Sequence, residues 1–320
     1  MSGHWLAELD GSSVTVEVPG SSANLGAGYD CLGVALAIVN RIEVEVRVWS
    51  RGAIELIVEG EGRDELPGDR ENRFVRGLEA TLRAARGELH EGVGWQITMH
   101  NTIPLARGLG SSAAATVGGV LAGNALAGEA LATTEMLRIA CEIEGHPDNA
   151  AASLLGGFVV STTSDEGVEA IRFDSPRDLR AVLFIPELRL PTGEMRAALP
   201  TMVPMADAVA NLGAVAVGVA GLATGRYDLL ARLTVDRLHE PYRAAVYPQL
   251  PRMVAAAREA GALGACLSGA GSTILAFAES MAGITRIEAA FFAAAADLDL
   301  AGRVLVVEPR NLGARVVARG

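Results

Sequence analysis

The amino-acid sequence predicts an α+β fold of mixed order, and three observations predict it. Strand-like alternation dominates the first sixty residues, with Ile-Glu-Val-Glu-Val-Arg-Val over 42–48 as the cleanest run. Two long uncharged stretches rich in Ala, Gly and Val, 108–128 and 208–225, read as helices packed closely against a sheet. Beyond residue 157, strands and helices follow one another without the regular βαβ repetition of a parallel sheet.

In chain order, β-rich alternation predicts strands over 14–18, 42–48 and 54–59. Phe74, Val75, Leu78 and Leu82 recur at helical spacing, so 69–85 reads as a helix. A strand at 95–100 leads into a glycine-rich turn and the first small-residue helix. Thr133 or Thr134 is placed to cap a helix running to about Ile143, with Glu135 in its first turn favouring the dipole. Strands follow at 158–161 and 181–185, then helices from the 190s to the 230s and one at 251–260. Strands at 265–267 and 274–277, a helix at 284–296 and a strand at 304–307 complete the reading. Length suggests two domains on a scale of about 150 residues each. A boundary is expected around 160–175, in the polar run 161–167, giving 1–165 and 166–320, and no internal repeat is evident.

Charge excludes several functions. The chain has 320 residues, a net charge of −11, and 27 basic residues of which every one is Arg. Without a lysine amine there is no Schiff-base aldolase, pyridoxal-phosphate enzyme, Walker A loop or VAIK-type protein kinase. Net acidity argues against a nucleic-acid binder, which neutralises phosphates with a basic face. Cys31, Cys141 and Cys266 form no CxxC pair, so buried thiols in a reducing compartment are expected rather than disulfides or zinc. Leu6, Glu8 and Asp10 do not form a secretory leader. The two uncharged stretches contain Asn124 and Asn211 and few large apolar residues, which disfavours membrane insertion. A soluble, cytoplasmic protein is expected.

Four segments carry chemistry. The first is Pro104-Leu105-Ala106-Arg107-Gly108-Leu109-Gly110-Ser111-Ser112-Ala113-Ala114, after a strand and opening a helix. Its glycines allow close backbone approach, and the helix start offers free N–H groups and a positive dipole end to phosphate oxygens. The hydroxyls of Ser111 and Ser112 can donate to phosphate or ligate Mg²⁺. A second loop, residues 19–30, holds Asn24 and Asp30 among glycines and is a candidate ligand wall. Third, Glu142, Glu144, His146, Asp148 and Asn149 cluster at a Gly-Pro turn, and their oxygens suit Mg²⁺. The fourth, 267–273, is a Gly-Ser turn between apolar strands. Each also has a plainer reading, as helix cap, turn or solvated terminus.

Together these segments resemble the GHMP kinase superfamily, and within it the homoserine kinases. The superfamily pattern PxxxGLGSSAA is matched in full by 104–114, and the early loop keeps Ser22, Asn24, Leu25, Gly26, Gly28 and Asp30 of the family's pattern. EGHPDN at 144–149, LPTGEMR at 190–196 and DRLHEPYR at 236–243 narrow the match, which runs from about 16 to 277. Ala27 stands where Pro is usual, Tyr29 where Phe is usual, and Ser272 where Pro is frequent.

The resemblance implies a two-lobed GHMP kinase fold, with an N-terminal lobe like the second domain of ribosomal protein S5 and a C-terminal ferredoxin-like lobe. It implies ATP-dependent phosphorylation of the side-chain hydroxyl of L-homoserine on the route to threonine, with ATP and Mg²⁺ as cofactors. The 104–114 loop would bind ATP, and Ser112 with Glu144 would hold Mg²⁺. Asn149 would hold the reacting hydroxyl, with Asn24, His146 and Thr192 as further substrate contacts. A zwitterionic substrate agrees with the residue types: Arg196 and Arg243 suit its carboxylate through forked hydrogen bonds, and Asp30 suits its ammonium. Asp148 is a base or a structural cap for 148–155. Homodimers occur in the family. The competing expectations are a GHMP kinase for another small alcohol, and a non-catalytic nucleotide-binding regulator.

Overall fold

The computed structural model describes residues 5, 8–48, 51–89, 92–165 and 167–320; Leu6, of the expected leaderless N-terminus, lies outside them. β1 (Ser13–Ala23) and β2 (Leu32–Arg47) form a long antiparallel ladder. Val14, Val16 and Val18 on β1 and Ile42, Val44 and Val46 on β2 are buried, as the period-two pattern requires. The first part of β2, Leu32–Val34, pairs with β5 (Phe158–Ser164), whereas Arg41–Arg47 pairs with β4 (Gly94–Asn101). β3 (Ile54–Gly60) runs parallel to β4, and β6 (Gly167–Phe173) pairs with β5. β11 (Arg315–Arg319) returns to the free edge of β1, completing a seven-stranded sheet. Its apolar face packs against α1 (Arg73–Arg86), α2 (Ser111–Leu126), α3 (Thr133–Glu144) and α4 (Asp148–Leu155).

α2 is the buried small-residue helix expected from 108–128. Its glycines let α1 come very close: a methyl on Gly119 would lie 1.9 Å from the Phe74 carbonyl oxygen. At the start of α3 no threonine caps. The N-cap is Ala132, and Glu135 instead reaches back to accept from its backbone N–H at 2.9 Å.

The second sheet is antiparallel throughout, in the order β10 (Gly302–Val307), β7 (Arg180–Pro186), β9 (Ile274–Ala278), β8 (Gly264–Leu267). Between β7 and β8 come α5 (Thr192–Ala197), α6 (Met205–Thr224), a 3₁₀ turn (Tyr227–Leu229), α7 (Leu230–Leu233), α8 (Glu240–Arg243) and α9 (Leu250–Glu259). α10 (Met281–Asp297) joins β9 to β10. That strand order and connectivity are ferredoxin-like. β7 alternates between two cores: Val182 and Phe184 face α9 and α10, while Ala181, Leu183 and Ile185 join the core of the first sheet.

Three expectations change. The polar run 161–167 is not a linker; it is the exposed far end of the β5–β6 hairpin, with Glu166 outside the described residues. Its residues are polar because a hairpin end faces water, and the chain leaves the first sheet after Phe173, within the expected 160–175 window but beyond the polar run. The final strand β11 belongs to the first sheet, so 166–320 is not a separate unit. Finally, α6 is not buried against a sheet. Only Asn211, Gly218, Gly221 and Leu222 are buried, and Met205, Val209, Leu212 and Val217 are exposed. Among the described residues it is the one helix long and apolar enough to cross a membrane.

Candidate active site

Residues of both lobes line a cleft of about 220 Å³. Its floor is the glycine loop before α2. Gly108 and Gly110 both adopt φ of +70°, and a methyl on Gly108 would lie 2.0 Å from the Ser268 carbonyl oxygen. Gly110 is the N-cap of α2 and offers no side chain, so the first-turn N–H groups have no cap and line the cleft beside Ser111 and Ser112. The 267–273 turn buttresses this loop. Ser268 Oγ donates to the Gly108 carbonyl, Thr273 N–H donates to the Arg107 carbonyl, and Gly269 N–H donates to the Ala23 carbonyl. Arg107 donates to the carbonyls of Leu105, Pro186 and Glu187, which ties the loop to the second lobe. Burial first, and then the charge of Arg189, lower its pKa.

Glu144 closes one end. Its Oε1 accepts from Ser112 Oγ at 3.0 Å and Thr116 Oγ1 at 2.6 Å, with Arg73 3.7 Å away. The pairing of Ser112 with Thr116 follows from helical spacing, since i and i+4 share a face. One buried carboxylate beside a hydroxyl fits Mg²⁺, which takes one or two carboxylates and completes its shell with water and phosphate oxygens. No cluster of three acidic, His or Cys ligands occurs among the described residues.

The opposite end carries the charges expected to meet an amino acid. Arg196 donates to both oxygens of Asp30, at 2.7 and 2.9 Å, and to Tyr29 Oη at 2.7 Å. That contact with Asp30 raises the Arg196 pKa against the opposing effect of burial. Arg243, only 1% exposed, donates to His239 Nδ1 and to the Gly269 carbonyl, both at 2.9 Å. His239 Nε2 lies 2.7 Å from the Gly26 carbonyl oxygen, so its proton sits there and Nδ1 is free to accept. Burial, with the nearby Arg243 charge, pushes the His239 pKa down to about 4 and keeps the ring neutral. Asp236 accepts backbone N–H groups from Leu238, His239 and Glu240 and an amide N–H from Asn211, anchoring the start of α8 that carries Arg243.

Between these ends, His146 Nδ1 lies 2.7 Å from Asp148 Oδ1, and the same oxygen accepts from Asn149 N–H at 2.7 Å. Asp148 is buried and engaged at the first turn of α4. Asn149 Oδ1 accepts from Ser21 Oγ at 2.9 Å. Asn24 donates to the Gly269 carbonyl and accepts from Asp30 N–H, so it braces the loop that presents Asp30.

Asn24, Asp30, His146, Asn149, Thr192, Arg196 and Arg243 all line this one cleft, although they span 220 residues of chain, and so do Ser112 and Glu144. Within 104–114, Leu105 and Ala114 do not: Ala114 is fully buried behind the first turn, and Leu105 points at Gly62. Sequence reasoning missed Ser21, Tyr29, Arg73, Thr116, Asp236 and His239 as parts of the site. Thr116 had a signal in its helical spacing from Ser112, and Ser21 and Tyr29 lie in the 19–30 loop read as a ligand wall; Arg73 had none, because only the packing of distant elements brings it here.

The family models described as the GHMP kinases N terminal domain and the GHMP kinases C terminal match residues 72–157 and 206–297. A homoserine kinase of Moorella thermoacetica is 40% identical over 302 residues, covering 94% of this chain and 99% of that protein. One of Caldicellulosiruptor bescii is 40% identical over 308 residues, 95% of this chain and 96% of its own. The crystal structure of homoserine kinase from Cytophaga hutchinsonii superposes with a TM-score of 0.85 at 30% identity, over 95% of this chain and 97% of that one. Leishmania major mevalonate kinase, at 16% identity and a TM-score of 0.66, shares the fold. A glycine loop opening a helix, the paired arginines and these matches along nearly the whole chain place the protein in the homoserine kinase family of GHMP kinases.

Proposed function

We propose that the chain transfers the γ-phosphoryl group of ATP to the side-chain hydroxyl of L-homoserine, giving O-phospho-L-homoserine for threonine synthesis. The observation that carries this is the cleft itself, which brings Arg196, Arg243 and Asp30 into one pocket with the glycine loop. An acceptor with one carboxylate and one ammonium offers a partner to each of these charges; a sugar or simple alcohol has no charge to meet them.

The residues divide the work by charge. The glycine loop and the uncapped first turn of α2 bind the triphosphate through backbone N–H groups, with Ser111 and Ser112 hydroxyls beside them. Ser112 and Glu144 would hold Mg²⁺, which when bound neutralises charge on the β- and γ-phosphate oxygens. Asn149 orients the acceptor hydroxyl, His146 and Thr192 shape the wall beside it, and Arg243 fixes the carboxylate. Phosphoryl transfer has a loose transition state, so orientation and electrostatics supply most of the catalysis. That agrees with an Asp148 carboxylate already engaged by His146 and Asn149 rather than free as a base. The protein works in this reading as a cytoplasmic enzyme, with a homodimer as the expected assembly.

An ADP-release assay across a panel of amino acids and alcohols tests the reading. L-Homoserine is expected to stimulate turnover above every other acceptor, and no stimulation would sink it. Arg196→Ala and Arg243→Ala should each raise the KM for homoserine about tenfold or more while the KM for ATP holds, as lost charge-assisted bonds imply. A wild-type homoserine KM in either variant would remove that arginine from the site.

A further inference from the structure

Asp30 and Arg196 bind each other in the way a zwitterion would bind each of them. The two hydrogen bonds are bidentate, and the partners are 31% and 35% exposed, so a ligand in the cleft can reach both. Asp30 cannot easily follow a departing Arg196. Its backbone sits at φ +54° and its N–H donates to Asn24 Oδ1, whose amide is tied across the cleft to Gly269. Arg196 has a second hold: Tyr29 Oη accepts from it, and its guanidinium lies 5.5 Å from the centre of the Tyr29 ring. Arg243 lies 5.6 Å from the same ring, so Tyr29 stands between two cations and presents its π system to both.

Building on the reading of this cleft as an amino-acid site, we infer that the Asp30–Arg196 ion pair is a latch opened by zwitterions, with Tyr29 holding Arg196 while it is open. A zwitterion replaces both partners at once: its ammonium takes Arg196's place on Asp30, and its carboxylate takes Asp30's place on Arg196. No charge is left without a partner. A hydroxy acid lacking the ammonium gains Arg196 only by stripping Asp30 of its counter-charge, and an amino alcohol strips Arg196 of its own. The intramolecular pair therefore competes against singly charged ligands, and selectivity arises from a penalty on the wrong ligand as well as from contacts to the right one. Tyr29 keeps one hydrogen bond on Arg196 throughout the exchange. This hydroxyl has a specific task here, because a phenylalanine could supply the ring but not the acceptor.

Direct binding of two ligands to the full chain separates a latch from a simple contact: L-homoserine and its analogue lacking the amino group. In Asp30→Asn the latch is gone, so the des-amino analogue should bind about three- to tenfold tighter than to the unaltered protein, while L-homoserine binds more weakly. If Asp30 only contacts the ammonium, the analogue has nothing to lose or gain there, and unchanged affinity overturns the latch. The same gain from Asp30→Asn in an Arg196→Gln background, where no latch exists, would come from the removed negative charge alone and would overturn it too. Tyr29→Phe is the milder variant. It should raise the KM for homoserine about threefold, the size of one lost hydrogen bond, with kcat, the KM for ATP and the thermal midpoint held. No change in that KM would remove Tyr29 from the device. Failure of the unaltered protein to turn over homoserine would instead defeat the substrate reading, a separate outcome.

Discussion

Two histidines near catalytic or substrate-binding side chains, His146 partly buried and His239 fully buried, have opposite protonation preferences, and their neighbours decide which. Burial lowers the pKa of both. At His146 the hydrogen bond and charge of Asp148 outweigh burial and raise it above 6.5, whereas His239, with Arg243 on one nitrogen, falls to about 4. A raised folded-state pKa means that the native protein binds the His146 proton more tightly than the unfolded chain does. The stabilisation from the His146–Asp148 pair is therefore fully present below pH 6.5 and is lost as pH rises through the raised folded-state value. Asp148→Asn removes the partner and should flatten that loss. Urea unfolding of both proteins across neutral pH checks this: their stability difference should shrink as pH rises, and a constant difference would show that the proton plays no part. Asp148 itself was legible in the sequence as a residue of importance, but not its role. Eight adjacent residues can be read as a cluster of donors; which atom faces which is set by the turn into α4.

At the scale of elements, two helices of nearly the same composition have different fates. α2 and α6 are both runs of Ala, Gly and Val almost without charge, so neither carries an amphipathic pattern that would mark a buried face. α2 is enclosed by α1 and the first sheet, whereas α6 touches the rest of the protein along a stripe through Asn211, Gly218, Gly221 and Leu222. Glycines report the contrast. Gly119→Ala drives a methyl into the Phe74 carbonyl and should cost about 3 kcal/mol or more through overpacking. Gly213 is exposed on α6, and a methyl there would meet nothing within 4 Å, so Gly213→Ala should gain about 0.5–1 kcal/mol. Denaturant midpoints of the two variants should move in opposite directions. If both moved alike, the packing difference between these helices would be mistaken.

For the whole molecule, the two lobes are joined by packing and by the path of the chain. Alternate residues of β7 enter the two cores, Phe277 packs on Phe158 with ring centres 5.8 Å apart, and the last strand returns to the first sheet. Asn311 fastens that return through both of its amide atoms to the backbone of Ser175, and Arg315 bridges to Glu17. Removing residues 311–320 should therefore destabilise the first lobe by about 2 kcal/mol or more, from lost buried hydrogen bonds and an opened β1 edge. The shortened chain should aggregate more readily, while its KM for homoserine stays unchanged because no cleft residue lies in the segment. Undiminished stability would show β11 to be dispensable.

By itself the sequence determined the chemistry available and the local form of most elements. It determined the absence of lysine and hence the reliance on backbone N–H groups and arginine. It determined the glycine loop that opens a helix, and the strands whose period-two burial needs only a nearby apolar face. The tertiary structure decided what those residues meet. Arg196 and Asp30 are 166 residues apart, and Arg243 and Gly269 come from different elements of the second lobe. Spacing along a chain constrains contacts within a turn or two of helix; across sheets and lobes, contacts depend on strand order and register. That is why two arginines and an aspartate could be read as partners for an amino acid, while the ion pair that two of them form with each other became visible only in the fold.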